Sequence, residues 1–227
     1  MPGTKLTEVR IPIPTVLARY AVAFIVAMTV LRFVNPLSWL NLFATDYLVG
    51  FLLLSGLVLI LSLRFWERDE GATLFQGFWS KKGAIRAVGA ATFVVVIFGL
   101  VIGSRLMHMT LTDGRWWRFI VIVLAGLPLF VYDELITRRL VPDWHAWAVA
   151  LVTRGLFLAF LLTGVLTFNR EKAFLVLIVP LIVGFWIALW FATGVVHRNT
   201  REPLTAALFA AIVQGWAFAA WFVTISG

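Results

Sequence analysis

Long apolar segments, separated by short polar ones, run through almost the entire chain of 227 residues. An α-helix needs about 20 apolar residues to cross a lipid bilayer, and seven segments approach or exceed that length. These predicted helices are Thr15–Phe33, Tyr47–Leu63, Ala84–Ser104, Trp116 to the acidic residues at 133–134, Pro142–Phe168, Ala173–Val195 and Leu204–Val223. The pattern predicts an all-α fold, a polytopic integral membrane helical bundle with about seven transmembrane helices.

The polar stretches between these segments indicate a single transmembrane domain, residues 1–227, without internal repeats. Residues 1–14 form a polar approach to the first helix and end in Ile-Pro-Ile-Pro, where each proline disfavours helix in the residue before it. The longest connection, residues 64–82, carries a mixed-charge run and is predicted to be a cytoplasmic loop.

The composition indicates a membrane protein and argues against thiol chemistry and nucleic-acid binding. Hydrophobic residues make up 62% of the chain, well above their share in ordinary soluble domains. There is no cysteine, so the sequence offers neither disulfides nor thiolate chemistry. In a membrane protein the net charge of +8 indicates basic loops near anionic headgroups, and nucleic-acid binding is not predicted. The expected partners are the lipid bilayer and another membrane protein, with no cofactor.

The basic residues divide unevenly between the two predicted sides of the membrane. With the N-terminus inside, eleven Lys and Arg residues fall in inner segments and six in outer ones. Because cytoplasmic segments are the ones enriched in Lys and Arg, this distribution favours a cytoplasmic N-terminus. We expect the protein in a bacterial inner (cytoplasmic) membrane.

An acidic pair, Asp133 and Glu134, ends the fourth apolar segment, and Arg138 follows four residues after Glu134. Charges at membrane depth are costly and are usually paired or functional, and residues four apart share one helix face. Two interpretations stay open. Glu134 could act as a general base, helped by Asp133 and oriented by Arg138, or the acids could pair with arginines and fix the helix end.

The motif D-E-L-I-T-R, from Asp133 to Arg138, resembles the E-E-x-x-x-R motif of the CPBP family of CAAX-processing and bacteriocin-processing intramembrane proteases. A second stretch, T-G-V-V-H-R-N-T-R-E-P-L-T-A-A-L-F-A-A-I-V-Q, is similar to the segment that leads into that family's last motif. The resemblance implies a helical membrane core whose site combines the acidic motif with two later motifs, F-x-x-x-H and H-x-x-x-N.

This chain departs from the family pattern after the acidic motif. Its first acid is aspartate, no F-x-x-x-H occurs after Arg138, and Ala210 and Ala211 stand near the place of a histidine in the last motif. The chain therefore resembles a degenerate member, similar to the membrane segments attached to some α/β-hydrolase proteins. We expect a non-catalytic accessory or docking subunit. The alternative is a CPBP-type intramembrane protease that uses Glu134 and Asp133 with His197.

The last apolar segment carries small residues at four-residue spacing, a pattern that lets helix backbones approach closely. Together with one glutamine they form a predicted packing face: Ala207, Ala211, Gln214, Gly215 and Ala219.

Three histidines, His108, His145 and His197, are the remaining candidates for metal or haem chemistry. They lie in a predicted loop or at helix ends and lack the short spacing typical of metal ligands, which favours solvated side chains. No metal site is predicted. A retinal protein is excluded because the last segment contains no lysine.

Overall fold

A computed structural model describes residues 12–33, 44–66, 79–102, 116–136, 148–149, 151–153 and 179–226. Within these ranges the chain consists of helices and short turns, without any strand, which confirms the predicted all-α class. The six long helices in this part are α1 (Ile13–Phe33), α2 (Ala44–Trp66), α3 (Lys81–Ile102), α4 (Trp116–Leu135), α5 (Val179–Thr200) and α6 (Pro203–Ser226).

Six of the seven predicted segments coincide with these helices, with ends that differ by a few residues. Both ends of the predicted loop at 64–82 are helical, because α2 continues to Trp66 and α3 already begins at Lys81, while residues 67–78 of that loop lie outside the described residues. Most of the fifth predicted segment, Pro142–Phe168, lies outside the described residues, although 148–149 and 151–153 are helical.

Helix α1 begins where the proline-rich approach ends. The amides of Thr15 and Val16 donate to the Pro12 carbonyl at 2.9 and 3.2 Å, and Pro14 occupies the first turn. A proline is tolerated there because the first-turn amides have no partner within the helix.

Close backbone approaches hold the middle of the bundle together. A Cβ atom added to Gly56 of α2 would lie 2.6 Å from the Leu129 amide nitrogen and 2.9 Å from Pro128 Cβ. One added to Gly215 of α6 would lie 2.6 Å from Val123 Cγ2. Helix α4, which is continuous through Pro128, therefore packs tightly against both α2 and α6.

The ends of five described helices meet at one polar end of the bundle. A contact between Tyr20 and Asp133 brings the start of α1 to the end of α4, and one between Glu134 and His197 adds the end of α5. A contact between Ser80 and Glu202 brings the start of α3 to the α5–α6 turn. We call this end, where α1, α3 and α6 begin and α4 and α5 finish, the polar end.

Helix α1 is long and apolar enough to cross a membrane, the one helix to meet both criteria among the residues whose side chains are described. Two further apolar stretches in that part, Val49–Leu63 of α2 and Pro203–Ala217 of α6, are shorter.

Candidate functional site

Asp133 is buried at the polar end and is joined to α1 by a hydrogen bond. Tyr20 Oη donates to Asp133 Oδ1 at 2.8 Å. The Tyr20 ring is itself fixed, because it packs edge-on against Phe24 and Tyr132 with centroid distances of 5.9 and 5.3 Å. Hydrogen bonds to a carboxylate are stronger than those between neutral groups. The contact therefore holds α1 against α4 at a defined register.

Glu134 faces a different helix. Its Oε2 lies 3.7 Å from His197 Nδ1, in the last turn of α5. The Glu134 side chain is 3% exposed and that of His197 is 18% exposed. This distance is too long for a hydrogen bond between the two atoms, but it is within the range of an ion pair when the imidazole is protonated. The structure thus brings together two of the four residues predicted to be catalytic, from segments 63 positions apart.

A carboxyl group beside an imidazole can exchange a proton or form an ion pair. General-base hydrolysis further requires that the base reach a water molecule and the substrate carbonyl. Asp133, next to Glu134, is occupied by Tyr20 and shows 1% exposure, so access from solvent to the acidic pair is small. The described acidic pair thus contacts two neighbouring helices and has little access to solvent.

The α5–α6 turn determines where His197 stands. Arg201 has a left-handed backbone with φ of 57°, and its amide donates to the His197 carbonyl at 2.6 Å. This is the geometry in which helices commonly end, although glycine is the usual residue there. Because α6 begins two residues later, at Pro203, the turn fixes the last turn of α5 close to the start of α6.

Glu202, in the same turn, binds the first residues of α3. Its Oε2 accepts hydrogen bonds from the Ser80 amide at 3.2 Å and from Thr205 Oγ1 at 2.6 Å. Ser80 in turn caps α3, since its Oγ accepts from the Gly83 amide at 3.0 Å. Burial by itself raises the pKa of Glu202, but the hydrogen bonds from Ser80 and Thr205 and the charge of Arg86 outweigh it, so the pKa lies below its usual 4.5.

Three further residues at the polar end do not belong to the site predicted from the sequence. Tyr20 and Glu202 make the contacts described above, and Arg19, next to Tyr20, is 8% exposed. The sequence signal for Arg19 was a charge close to the start of an apolar segment. The signal for Tyr20 was a single tyrosine hydroxyl in the same segment. Neither signal identifies the partner, because that depends on how the helices are rotated.

Other predicted site residues lie outside the described residues. These are Arg138, His145 and His108, so the predicted pairing of Glu134 with Arg138 stays a prediction. Among the described residues there is no group of three His, Asp or Glu side chains that could hold a metal ion.

The predicted packing face lies in the interior of the bundle. Ala207, Ala211 and Gln214 are at most 2% exposed, and Gly215 lies against Val123 of α4. Helix α6 packs against α3, α4 and α5, which makes it the central helix of the described part. The side chain of Ala219 lies outside the described residues, although its backbone belongs to α6.

Comparison of the chain with family models, curated proteins and solved structures finds no match. The likeness to the CPBP family accordingly rests on the motif from Asp133 to Arg138 and on the stretch that leads into α6.

Proposed function

We propose that this protein is a polytopic membrane bundle of about seven spans with a cytoplasmic N-terminus. It acts as a non-catalytic accessory or docking subunit beside another membrane protein, in a bacterial inner membrane. The polar end then faces the cytoplasm. The observation that carries the proposal is the distribution of polar and apolar side chains, which is reversed with respect to a water-soluble bundle.

The outward surface of the described helices is apolar. Large hydrophobic side chains are exposed along the middle of five of them. Examples are Val22, Ile25, Leu57, Leu61, Val88, Phe93, Val96, Leu124, Phe191 and Val195. Soluble monomers rarely expose apolar patches of this extent, whereas such a surface is the normal contact with lipid tails.

The interior, by contrast, contains eight buried polar or charged side chains among the described residues. Buried polar and charged residues are Arg19, Ser55, Asp133, Glu134, Thr153, Thr193, Thr205 and Gln214. Several are satisfied within their own helix: Ser55 Oγ and Thr193 Oγ1 donate to carbonyls one turn back. In a membrane such groups must be satisfied inside the bundle, because lipid offers no hydrogen bonds.

Helix lengths and directions support the seven-span count. Each long helix has 20 to 24 residues, which corresponds to about 30 Å or more at 1.5 Å per residue. Helices α4 and α5 both finish at the polar end, so the chain must return to the opposite end between them. The predicted segment Pro142–Phe168 would provide that return.

The contacts of the acidic pair favour a structural over a catalytic role. Asp133 and Glu134 each face a side chain from another helix, Tyr20 and His197. Near the position where the resembled family has a histidine, α6 has the buried Ala210 and Ala211. The pair thus links α4 to α1 and α5 while the neighbouring helix supplies no further acid, base or hydroxyl at that point.

Topology can be tested with single cysteines, since the natural chain has none. Gln76→Cys and Gly227→Cys, in otherwise unchanged chains, would be exposed to a membrane-impermeant thiol reagent in intact cells. We expect modification of the second and protection of the first. Equal accessibility of the two cysteines would refute an odd number of spans between positions 76 and 227.

The docking role can be tested by isolating the tagged protein from native membranes and identifying companions by mass spectrometry. We expect one membrane protein in stoichiometric amount with the natural chain and less of it with His197→Ala. Gly89→Ala serves as control, because Gly89 faces open space. Recovery of the natural chain as a monodisperse protein without a companion would contradict a docking function. Equal recovery of a companion with the natural chain and with His197→Ala would also contradict it.

One observation favours the second candidate, an intramembrane protease. Glu134 and His197 lie close enough to act together on a water molecule that entered between α4 and α5. In that case Glu134 would accept a proton from the water, and His197 would donate one to the leaving amine. The two candidates differ in whether Glu134→Gln removes an activity.

A further inference from the structure

Five exposed cationic side chains gather at the polar end, where the start of α3 meets the α5–α6 turn. This basic corner consists of Lys81, Lys82, Arg86, Arg198 and Arg201. Its two halves are far apart in sequence but are joined by the bond from the Ser80 amide to Glu202 at 3.2 Å. Lys81 and Lys82 follow Ser80 directly, and Arg201 directly precedes Glu202.

The basic corner keeps an excess of positive charge. Glu202 is the one described carboxylate beside it, and this group is already engaged by Ser80 and Thr205 and faces Arg86. The other four cations make no ion pair with any residue in the described part of the chain. Among the described residues, five positive charges against one negative charge leave a corner suited to an external anion.

The two lysines stand where positive charge is unfavourable for the helix itself. They occupy the first two positions of α3, and the amino end of a helix carries a partial positive charge. No acidic residue occurs in that first turn. Glu202 offsets part of the repulsion from outside the helix, and a bound anion would offset more.

The surroundings of this corner are those expected at the depth of lipid headgroups. Trp79, directly before Ser80, is 57% exposed, and tryptophan is enriched where membrane and water meet. Towards the middle of the bundle the outer face of α3 continues with the exposed side chains Ile85, Val88 and Phe93. An exposed tryptophan, exposed cations and an apolar flank thus follow one another from the residues before α3 into the helix.

We propose that the basic corner binds the headgroup phosphate of an anionic phospholipid, with the acyl chains lying along the outer face of α3. Lys81 and Lys82 contact the phosphate from one side, and Arg198 and Arg201 from the other. The inference rests on the proposed membrane location and adds a preference for negatively charged lipid. Bound lipid would clamp the start of α3 to the turn that carries His197.

The test uses the full chain purified in detergent with equal amounts of phosphatidylglycerol and phosphatidylcholine. Native mass spectrometry then counts the lipids that stay bound. The test variant is Lys82→Gln/Arg198→Gln. The control, Arg32→Gln/Arg118→Gln, removes the same charge at the opposite end of the bundle. The conservative exchange Lys82→Arg/Arg198→Lys retains the charge and reports on folding.

We expect the natural chain, the control and the conservative exchange to prefer phosphatidylglycerol. Each cation near an anionic membrane surface contributes about 1 kcal/mol, so the test variant should lose about 25-fold of that preference. An unchanged preference in the test variant, or an equal loss in the control, would overturn the proposal. Displacement of the lipid by inorganic phosphate at equal concentration would also overturn it, in favour of a simple ion site.

A different experiment, extraction of membranes with alkaline carbonate, distinguishes failure of the proposed membrane location from failure of the lipid site. A chain released from membranes by alkaline carbonate would contradict the proposed function itself. A chain that resists extraction but shows no preference for phosphatidylglycerol would contradict the lipid site alone.

Discussion

The polar end and the middle of the bundle are held together in different ways. At the polar end, oriented contacts such as Tyr20–Asp133 and Ser80–Glu202 connect helices through named polar atoms. In the middle, Gly56 and Gly215 let backbones approach until there is no space for another methyl group. Oriented contacts select which helices meet, because an unpaired buried polar group is costly. Close packing supplies dispersion contacts, which do not depend on charge.

The largest effect is expected where the backbone itself blocks a side chain. Gly56→Ala should lower the free energy of unfolding in detergent by about 3 kcal/mol, because the new methyl group would meet backbone atoms of α4 that cannot rotate away. Gly89→Ala is the matched control on another helix, where an added Cβ would meet no atom within 4 Å apart from the adjacent residues and backbone of its own helix. It should be neutral or stabilising by up to about 1 kcal/mol, since alanine favours helix. Equal effects of the two changes would show that α2 does not pack against α4 at Gly56.

The next effect concerns the bond between α1 and α4. Asp133→Ala should cost about 2 kcal/mol in the free energy of unfolding, because it leaves the buried Tyr20 hydroxyl without this acceptor. Adding Tyr20→Phe to that variant should cost little more, since the partner has already been removed. Additive losses in a detergent melting series would mean that the two side chains act independently.

A smaller coupling is expected between Glu134 and His197. A double-mutant cycle with Glu134→Gln and His197→Gln should yield a coupling energy of about 1 kcal/mol, because the atoms are 3.7 Å apart and one side chain is partly exposed. A second cycle with His197→Gln and Asp133→Asn serves as the comparison, because Asp133 faces Tyr20 of α1 and not His197. A coupling energy of zero in the first cycle would show that His197 does not interact energetically with Glu134.

The smallest effect is the pH dependence of the bond that joins Glu202 to α3. Because the pKa of Glu202 is lower in the folded chain, its ionised form adds stability at pH values above the usual 4.5. That contribution is lost as the pH falls through the folded pKa. Glu202→Gln should therefore flatten the dependence of the melting temperature on pH below 4.5, and Thr205→Val should do so in part. An unchanged pH profile in Glu202→Gln would contradict this contribution.

Segment length and apolar content were sufficient to predict the long helices, because an apolar run of about 20 residues can be read from the sequence itself. The acidic pair and His197 could be singled out because charge is rare in such segments. Their partners could not be predicted, since both the inner and the outer faces of these helices are largely apolar, and little periodicity in the sequence indicates how each helix is rotated. Ser80 and Glu202 illustrate this, because 122 positions separate two residues whose contact depends on the assembled bundle.

The central claim, that the acidic pair locks helices and does not catalyse hydrolysis, is tested most directly by a cleavage assay. The purified natural chain and Glu134→Gln would be reconstituted in lipid vesicles and incubated with a prenylated peptide. Melting profiles would verify that both proteins are folded. Any loss of stability in Glu134→Gln should not exceed the coupling energy given above for Glu134 and His197. We expect the same background rate from both proteins. Cleavage by the natural chain that disappears in folded Glu134→Gln would contradict the account and establish the protease.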